Sequence, residues 1–105
     1  MTFIYITCKN EQEAVKISTN LLNKRLIACS NMFPIRSMYW WNKKIENTKE
    51  FVILAKTKEK NYIKIKKEVE KIHSYKIPCI VKINAEANES YDKWINEEVK
   101  YRRGH

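Results

Sequence analysis

The sequence predicts an α+β domain with the ferredoxin-like element order β-α-β-β-α-β, an antiparallel sheet and one added C-terminal helix. Segments rich in β-branched and aromatic residues alternate with segments whose apolar residues recur at helical spacing. The 105 residues, of which 44% are hydrophobic, suffice for one domain over 1–105 with a packed core. The single glycine, Gly104, excludes glycine-rich phosphate loops.

The first strand and helix are predicted from the N-terminal third of the chain. Residues 2–8 are β-branched and aromatic, which is typical of a strand. Asn10 followed by Glu13 is typical of a helix capping box. An apolar stripe at helical spacing follows and ends near Lys24; it consists of Ala14, Ile17, Ser18, Leu21 and Leu22.

A long β-hairpin is predicted next. Residues 26–41 favour a strand interrupted at Pro34, which cannot donate a ladder hydrogen bond and is therefore expected at an edge or a bulge. Asn42 and Lys43 favour a tight turn with a positive φ at Asn42. Residues 50–58 favour the returning, buried strand.

The second half of the domain follows the same logic. An apolar stripe predicts a helix over about 59–73, and Pro78 prevents it from continuing. Residues 77–85 favour the last strand, and residues 89–101 favour a terminal helix with one apolar face. Residues 101–105 are expected to form a frayed tail.

The net charge of +9 raises the question of a nucleic-acid partner. The densest run of lysines, over residues 56–71, also contains Glu59, Glu68 and Glu70, which is typical of a solvated helix face. Nucleic acid is therefore not expected as a partner. We also find no apolar stretch of about 20 residues and no signal peptide, so we expect no membrane association and a cytoplasmic location.

The three cysteines are odd in number, widely spaced and without a C-x-x-C motif. This pattern argues against a disulfide framework and against a zinc ribbon.

A different signal comes from Tyr39-Trp40-Trp41, which places bulky aromatics on both faces of one strand. Because a ferredoxin-like sheet leaves one face bare, this run indicates a subunit interface.

Seven short motifs, in one order along residues 3–99, resemble the CutA family of divalent-cation tolerance proteins. They are Lys24–Asn31, Ile35–Trp41, Lys44–Glu46, Lys56-Thr57, His73-Ser-Tyr75, Ile77-Pro78 and Tyr91-x-x-Trp94. Three positions depart from the family pattern: Lys43 stands where relatives usually have Gly, Ser74 where they have Pro, and Cys79 where they often have Glu or Ala.

The resemblance implies a ferredoxin-like homotrimer, in which sheets of neighbouring subunits join and long hairpins reach across. It implies a role in tolerance of copper and other divalent metals, by binding the metal or a partner, and no enzymatic activity. Two alternatives are a basic RNA-binding module and a PII-like signalling trimer. Against the first, the predicted strand at Glu50–Ala55 has no glycine and only one aromatic for base stacking.

The candidate metal ligands are Cys8, Cys29, His73 and Cys79, because thiolates and imidazoles suit copper and zinc. Cys29 and His73 match motifs of the family, and we expect copper or another divalent cation to bind weakly. The competing interpretation is that the thiols are buried core residues and that His73 stabilises the C-terminus of a helix through the helix dipole.

A second set of residues is expected at an intersubunit cleft or in trimer packing. The resemblance implies a cleft for Lys56 and Tyr75, and for Lys56 the alternative is a strand lysine that extends toward solvent. The four other members are aromatic residues, which we expect to pack in the trimer rather than to stack on a ligand. They are Tyr39, Trp41, Tyr91 and Trp94.

Overall fold

The computed structural model describes residues 1–99, and the described part of the chain contains four strands and three α-helices. They are β1 (Thr2–Cys8), α1 (Glu11–Asn23), β2 (Cys29–Trp41), β3 (Lys44–Thr57), α2 (Tyr62–Ile72), β4 (Ile80–Asn84) and α3 (Glu89–Glu98), with a 3₁₀ turn at Glu59–Asn61 before α2. The predicted fold class and element order are confirmed. None of these helices has the length and apolar character needed to span a membrane.

The four strands form one antiparallel sheet in the order β2-β3-β1-β4. The central strand β1 pairs with β3 on one side and with β4 on the other, with Ile6 opposite Ile53 and Ile80. The hairpin of β2 and β3 is paired along its whole length, from Cys29 opposite Lys56 to Trp41 opposite Lys44.

Strict alternation along β1 separates the two faces of the sheet. Ile4, Ile6 and Cys8 are fully buried against α1 and α2, on what we call the helix face. The other members of this core are Ala14, Ile17, Leu21, Ile27, Ile53, Ala55, Ile65 and Val69. Thr7 and its neighbours of the same parity lie on the opposite side, which we call the open face.

Two strands begin later than predicted, β2 because of tertiary hydrogen bonds and β4 because of a proline. The expected strand 26–41 begins at Cys29, because Arg25 takes a left-handed φ of 57° and the Leu26 carbonyl accepts from Thr57 and Asn61 side chains instead of a ladder partner. The strand expected over 77–85 comprises only Ile80–Asn84 in the structure. Pro78, which lacks an N–H, lies outside the ladder.

The other predicted boundaries also differ: one strand is longer than predicted, and two helices are shorter. The strand expected at 50–58 begins six residues earlier, at Lys44, because the hairpin pairs up to its turn. The helix expected at 59–73 opens as a 3₁₀ turn and ends at Ile72. The helix expected at 89–101 ends at Glu98, and the predicted tail over 101–105 lies outside the described residues.

Two local predictions concern the hairpin. Pro34 lies on an edge strand, as predicted, opposite Phe51. The turn contains a positive φ at Asn42, of 52°, and also one at Lys43, of 64°. Two consecutive left-handed residues are typical of a type I′ turn, whose usual second residue is glycine. Lys43 therefore adopts a conformation that a side chain with a Cβ disfavours.

We predict that Lys43→Gly raises the free energy of unfolding by roughly 0.5–1 kcal/mol, because relief of the left-handed strain outweighs the extra entropy of glycine in the unfolded chain. Urea denaturation at a fixed protein concentration measures the change. The matched control is Lys44→Gly, at the first residue of β3, which should lower stability. Equal destabilisation by both changes would contradict the assignment of strain to Lys43.

Candidate functional site

The segment between α2 and β4, residues 73–79, passes around the end of the sheet where β1 terminates. It contacts both faces through Thr7. The Thr7 carbonyl oxygen lies 2.8 Å from His73 Nε2, and Thr7 and Cys79 both line a cavity on the opposite side of the sheet. Candidate ligands on the two sides of the sheet are therefore connected through one residue of β1.

On the helix side of this end, Cys8, Glu13 and His73 form a buried cluster. One ligand atom from each residue lies within 4.8 Å of the others. Cys8 is the last residue of β1, Glu13 lies in the first turn of α1, and His73 follows α2. Three separate elements thus converge on one point, which no local sequence pattern specifies.

Glu13 accepts backbone hydrogen bonds at both carboxylate oxygens, from Lys9 N at 2.9 Å and from Ser74 N at 2.8 Å. Its own N–H donates to the Asn10 side chain, which is one of the two hydrogen bonds of the predicted capping box; the carboxylate accepts from Lys9 N in place of Asn10 N. Burial raises the pKa of Glu13, but the hydrogen bonds from Lys9 and Ser74 outweigh it and hold the pKa below its usual value.

The hydrogen bonds of His73 determine its tautomer. Its side chain is fully buried, and the Tyr75 N–H donates to Nδ1 over 3.0 Å. Nδ1 is therefore an acceptor, and Nε2 carries the proton that it donates to the Thr7 carbonyl. Both ring nitrogens of His73 are therefore hydrogen-bonded.

Cys8 has no exposed surface. Burial, with smaller contributions from the Glu13 and Glu50 carboxylates, raises the pKa of its thiol to about 12. The thiol is therefore protonated at neutral pH, whereas the thiolate is the form that binds metals and acts as a nucleophile.

On the open side of the same end lies a cavity of about 310 Å³, which we call the open-face pocket. Its principal lining residues are Tyr39, Trp41, Glu46, Glu50, Tyr75 and Cys79. The Tyr75 hydroxyl donates to Glu50 Oε2 over 2.5 Å. Burial and the adjacent Glu50 carboxylate raise the pKa of Tyr75, so the hydroxyl remains a donor.

The four predicted metal ligands do not come together. Cys8 and His73 share the buried cluster, but Cys79 lies across the sheet in the open-face pocket. Cys29 is opposite Lys56, which is opposite Phe3 of β1, so it lies on the open face near the other end of the sheet. A single site containing all four residues is excluded by this arrangement.

The predicted cleft residues also form two groups. Tyr39, Trp41 and Tyr75 line the open-face pocket. Lys56 lies at the opposite end, with its Nζ 5.4 Å from the centroid of the Tyr91 ring, and Tyr91 stacks on Trp94 with centroids 5.5 Å apart. The second group is an internal contact between β3 and α3.

Comparison with known proteins assigns the family. The family model of the CutA1 divalent ion tolerance protein matches residues 2–98 of this chain. The chain belongs to the CutA1 family. Among curated CutA relatives, the divalent-cation tolerance protein CutA of Archaeoglobus fulgidus is 42% identical over 93% of this chain and 97% of the relative. That of Pyrococcus horikoshii is 39% identical over 95% and 99%.

Solved CutA structures share the fold. A structure described as that of the periplasmic divalent cation tolerance protein CutA from Archaeoglobus fulgidus superposes with a TM-score of 0.92, covering 95% of this chain and 100% of that one. A PII-like protein CutA from Nostoc sp. PCC 7120 superposes with a TM-score of 0.87 at 20% identity, over 94% and 97% of the two chains. At that identity the similarity establishes the fold alone.

Two glutamates of this CutA chain were not predicted as site residues. Glu13 was predicted only as a helix cap, and Glu50 only as the start of a strand. The available signal was the burial of both positions: Glu13 precedes the apolar stripe of α1, and Glu50 precedes a continuous apolar run. A carboxylate at such a position requires a partner.

We predict that Glu13→Gln lowers the free energy of unfolding at pH 7 by about 1–3 kcal/mol, because an amide cannot accept from both Lys9 N and Ser74 N. The Glu13 pKa is lowered in the folded protein, so its contribution is complete above the unfolded value of 4.5 and disappears as the pH falls through the lower folded value.

The difference between wild type and Glu13→Gln should therefore shrink below pH 4.5. Urea denaturation between pH 7 and pH 3 measures it. The control is Glu70→Gln, which removes an exposed α2 carboxylate and should change stability at pH 7 by less than about 0.5 kcal/mol. A Glu13→Gln protein as stable as wild type at pH 7 would contradict the assigned role.

Proposed function

We propose that this CutA-family chain is a non-catalytic homotrimer that acts in divalent-cation tolerance and binds copper or a similar cation weakly at Cys8, Glu13 and His73. The observation that carries the metal site is the convergence of a thiol, a carboxylate and an imidazole within 4.8 Å. This combination of sulfur, oxygen and nitrogen donors is suited to copper and zinc.

The three donor types suit such a cation, but in the folded protein the Cys8 thiol is protonated and the Glu13 and His73 side chains are hydrogen-bonded. Metal binding must displace the proton of the Cys8 thiol and the Tyr75 N–H that Nδ1 of His73 accepts. Bond lengths of about 2.0–2.3 Å around zinc also place ligand atoms closer together than 4.8 Å. Both requirements support weak binding rather than a closed structural site.

The same features support a non-catalytic role. Cys-dependent catalysis requires a thiolate beside an available base. Cys8 has a raised thiol pKa, and neither ring nitrogen of His73 is free to take its proton.

We predict that Cys8→Ser and His73→Ala weaken copper and zinc binding tenfold or more, since each removes one of three donors. Cys29→Ser and Cys79→Ser are matched controls, because both thiols lie outside the cluster, and their affinities should equal that of wild type. Isothermal titration calorimetry measures the affinities, with circular dichroism to verify the fold.

Unchanged affinity in both cluster variants would exclude the site. Loss of affinity in Cys79→Ser with no change in Cys8→Ser would instead locate the cation in the open-face pocket. Because Cys8 is buried, Cys8→Ala provides a second thiol-free variant if the serine protein does not fold.

The trimer is supported by the apolar surface that a single copy leaves exposed. At the hairpin, Met38 and Trp40 are 66% and 72% exposed, and Ile45 is 59% exposed. On the open face Phe33, Val81 and Ile83 are each about two-fifths exposed. Exposed apolar side chains in this number, at the hairpin and on the open face, are typical of subunit interfaces.

We expect light scattering coupled to size exclusion to yield a mass of about 38 kDa, three times the 12.7 kDa of one chain. Trp40→Glu and Ile45→Lys together place charges on the exposed hairpin surface and should shift the mass toward 12.7 kDa. As a control, Ile63→Lys changes an exposed α2 residue away from the hairpin and should leave the mass unchanged. A wild-type monomer at micromolar concentration would contradict the trimer.

We also propose a cytoplasmic location, which the three unpaired cysteines support. Fractionation of the source cells, with a compartment marker for each fraction, tests it. Recovery of the protein outside the cytoplasm would contradict it.

A further inference from the structure

Glu50 is a buried carboxylate with few partners. It is only 7% exposed, and within residues 1–99 its single hydrogen bond is the one from the Tyr75 hydroxyl to Oε2. Glu13, which is equally buried, has backbone donors at both oxygens. A buried carboxylate is normally paired with a cation or with several donors. Glu50 therefore has unused capacity for a positively charged group.

The pocket that Glu50 faces has aromatic walls. Tyr39 and Trp41 are alternate residues of β2 and therefore project to the same face of the sheet. Both line the open-face pocket, and both remain about two-fifths exposed. Tyr39 is held in place on one side by a hydrogen bond from the Thr48 hydroxyl to its own, at 3.5 Å. Aromatic faces beside a carboxylate form the surroundings in which organic cations bind.

The charge of the pocket is opposite to that of the protein. Glu46 and Glu50 line it with one lysine, Lys76, which makes no ion pair with any residue described in the structure. The chain as a whole carries a net charge of +9. A concave, net acidic site on a basic protein selects a cation.

The chemistry of the walls distinguishes an organic cation from a metal ion. A divalent metal requires several oxygen, nitrogen or sulfur ligands close together. Within residues 1–99 the one cluster of three such donors is Cys8, Glu13 and His73, on the other side of the sheet. Tyr39 and Trp41 offer ring faces, which attract an alkylammonium group but contribute no ligand to a metal.

We propose that the open-face pocket binds an alkylammonium ion, with its charge on Glu50 and Glu46 and its alkyl groups against Tyr39 and Trp41. The volume of about 310 Å³ admits a small amine. Two sources supply an alkylammonium group: a free amine, and the ε-ammonium group of a lysine on a second copy of this chain. This inference does not rest on the proposed metal site.

The test titrates the full chain with n-butylammonium and tetramethylammonium, and with 1-butanol as the uncharged counterpart. Binding is followed by amide chemical shifts in ¹H–¹⁵N spectra and by calorimetry, and the oligomeric state by sedimentation velocity. The variants are Glu50→Gln and Trp41→Leu. Their matched controls are Glu70→Gln, at an exposed carboxylate of α2, and Trp94→Leu, at a tryptophan of similar exposure on α3.

For a free amine, we expect saturable ammonium binding that shifts the amides of Tyr75 and Cys79 and that weakens tenfold or more in Glu50→Gln and in Trp41→Leu. The controls should bind as wild type does, and 1-butanol should cause no saturable shift. For a lysine of a second copy, we expect no binding of free amine to the assembled protein, and dissociation of the assembly by Glu50→Gln.

The proposal is overturned if 1-butanol binds as tightly as butylammonium, or if Glu50→Gln changes neither amine binding nor assembly. Saturable binding of Mg²⁺ or Cu²⁺ that shifts the pocket amides and displaces the amine would also overturn it in favour of a metal. Failure of the Cys8 and His73 variants to alter metal affinity leaves the proposal intact, because those residues lie outside the pocket.

Discussion

Unequal coverage of the two faces of the sheet is the constraint on which the other features of this protein depend, because α1 and α2 pack on one face while α3 contacts the other at Lys56. Ile4, Ile6 and Cys8 of β1 are completely buried against α1 and α2, whereas the alternate residues of the sheet form the open face. That asymmetry leaves Phe33, Val81 and Ile83 partly exposed and creates the pocket around Glu50. The proposed trimer and the proposed ammonium site both follow from it.

The two faces are joined at one end of the sheet by the segment that contains His73 and Tyr75. The His73 ring is bound between the Thr7 carbonyl and the Tyr75 N–H, and the Tyr75 hydroxyl reaches Glu50 on the open face. The groups that would hold a cation in the buried cluster are thus the groups that hold this segment in place. The proposed cation site is therefore expected to be weak, because a metal must compete with bonds that the fold uses.

Sequence patterns predicted the structure correctly where they depend on interactions between residues that are close together in the chain. The Asn10–Glu13 cap, the strand over residues 2–8 and the edge position of Pro34 were all predicted correctly. The late start of β2 was not predicted, because it depends on Thr57 and Asn61, about 30 residues away. The site was predicted only in part, since Cys8 and His73 meet but Glu13 was assigned no role beyond its cap.

The sequence by itself determined the element order, the CutA resemblance and the residue types available for metal chemistry, because periodicity and motif order are properties of the chain. Tertiary structure alone decided which of those residues share a site. Cys8 and Cys79 lie on opposite faces because alternation along β1 turns Cys8 toward α1 and α2, whereas the segment 73–79 carries Cys79 to the open-face pocket. The pairing of Glu50 with Tyr75, 25 residues apart, likewise required the fold.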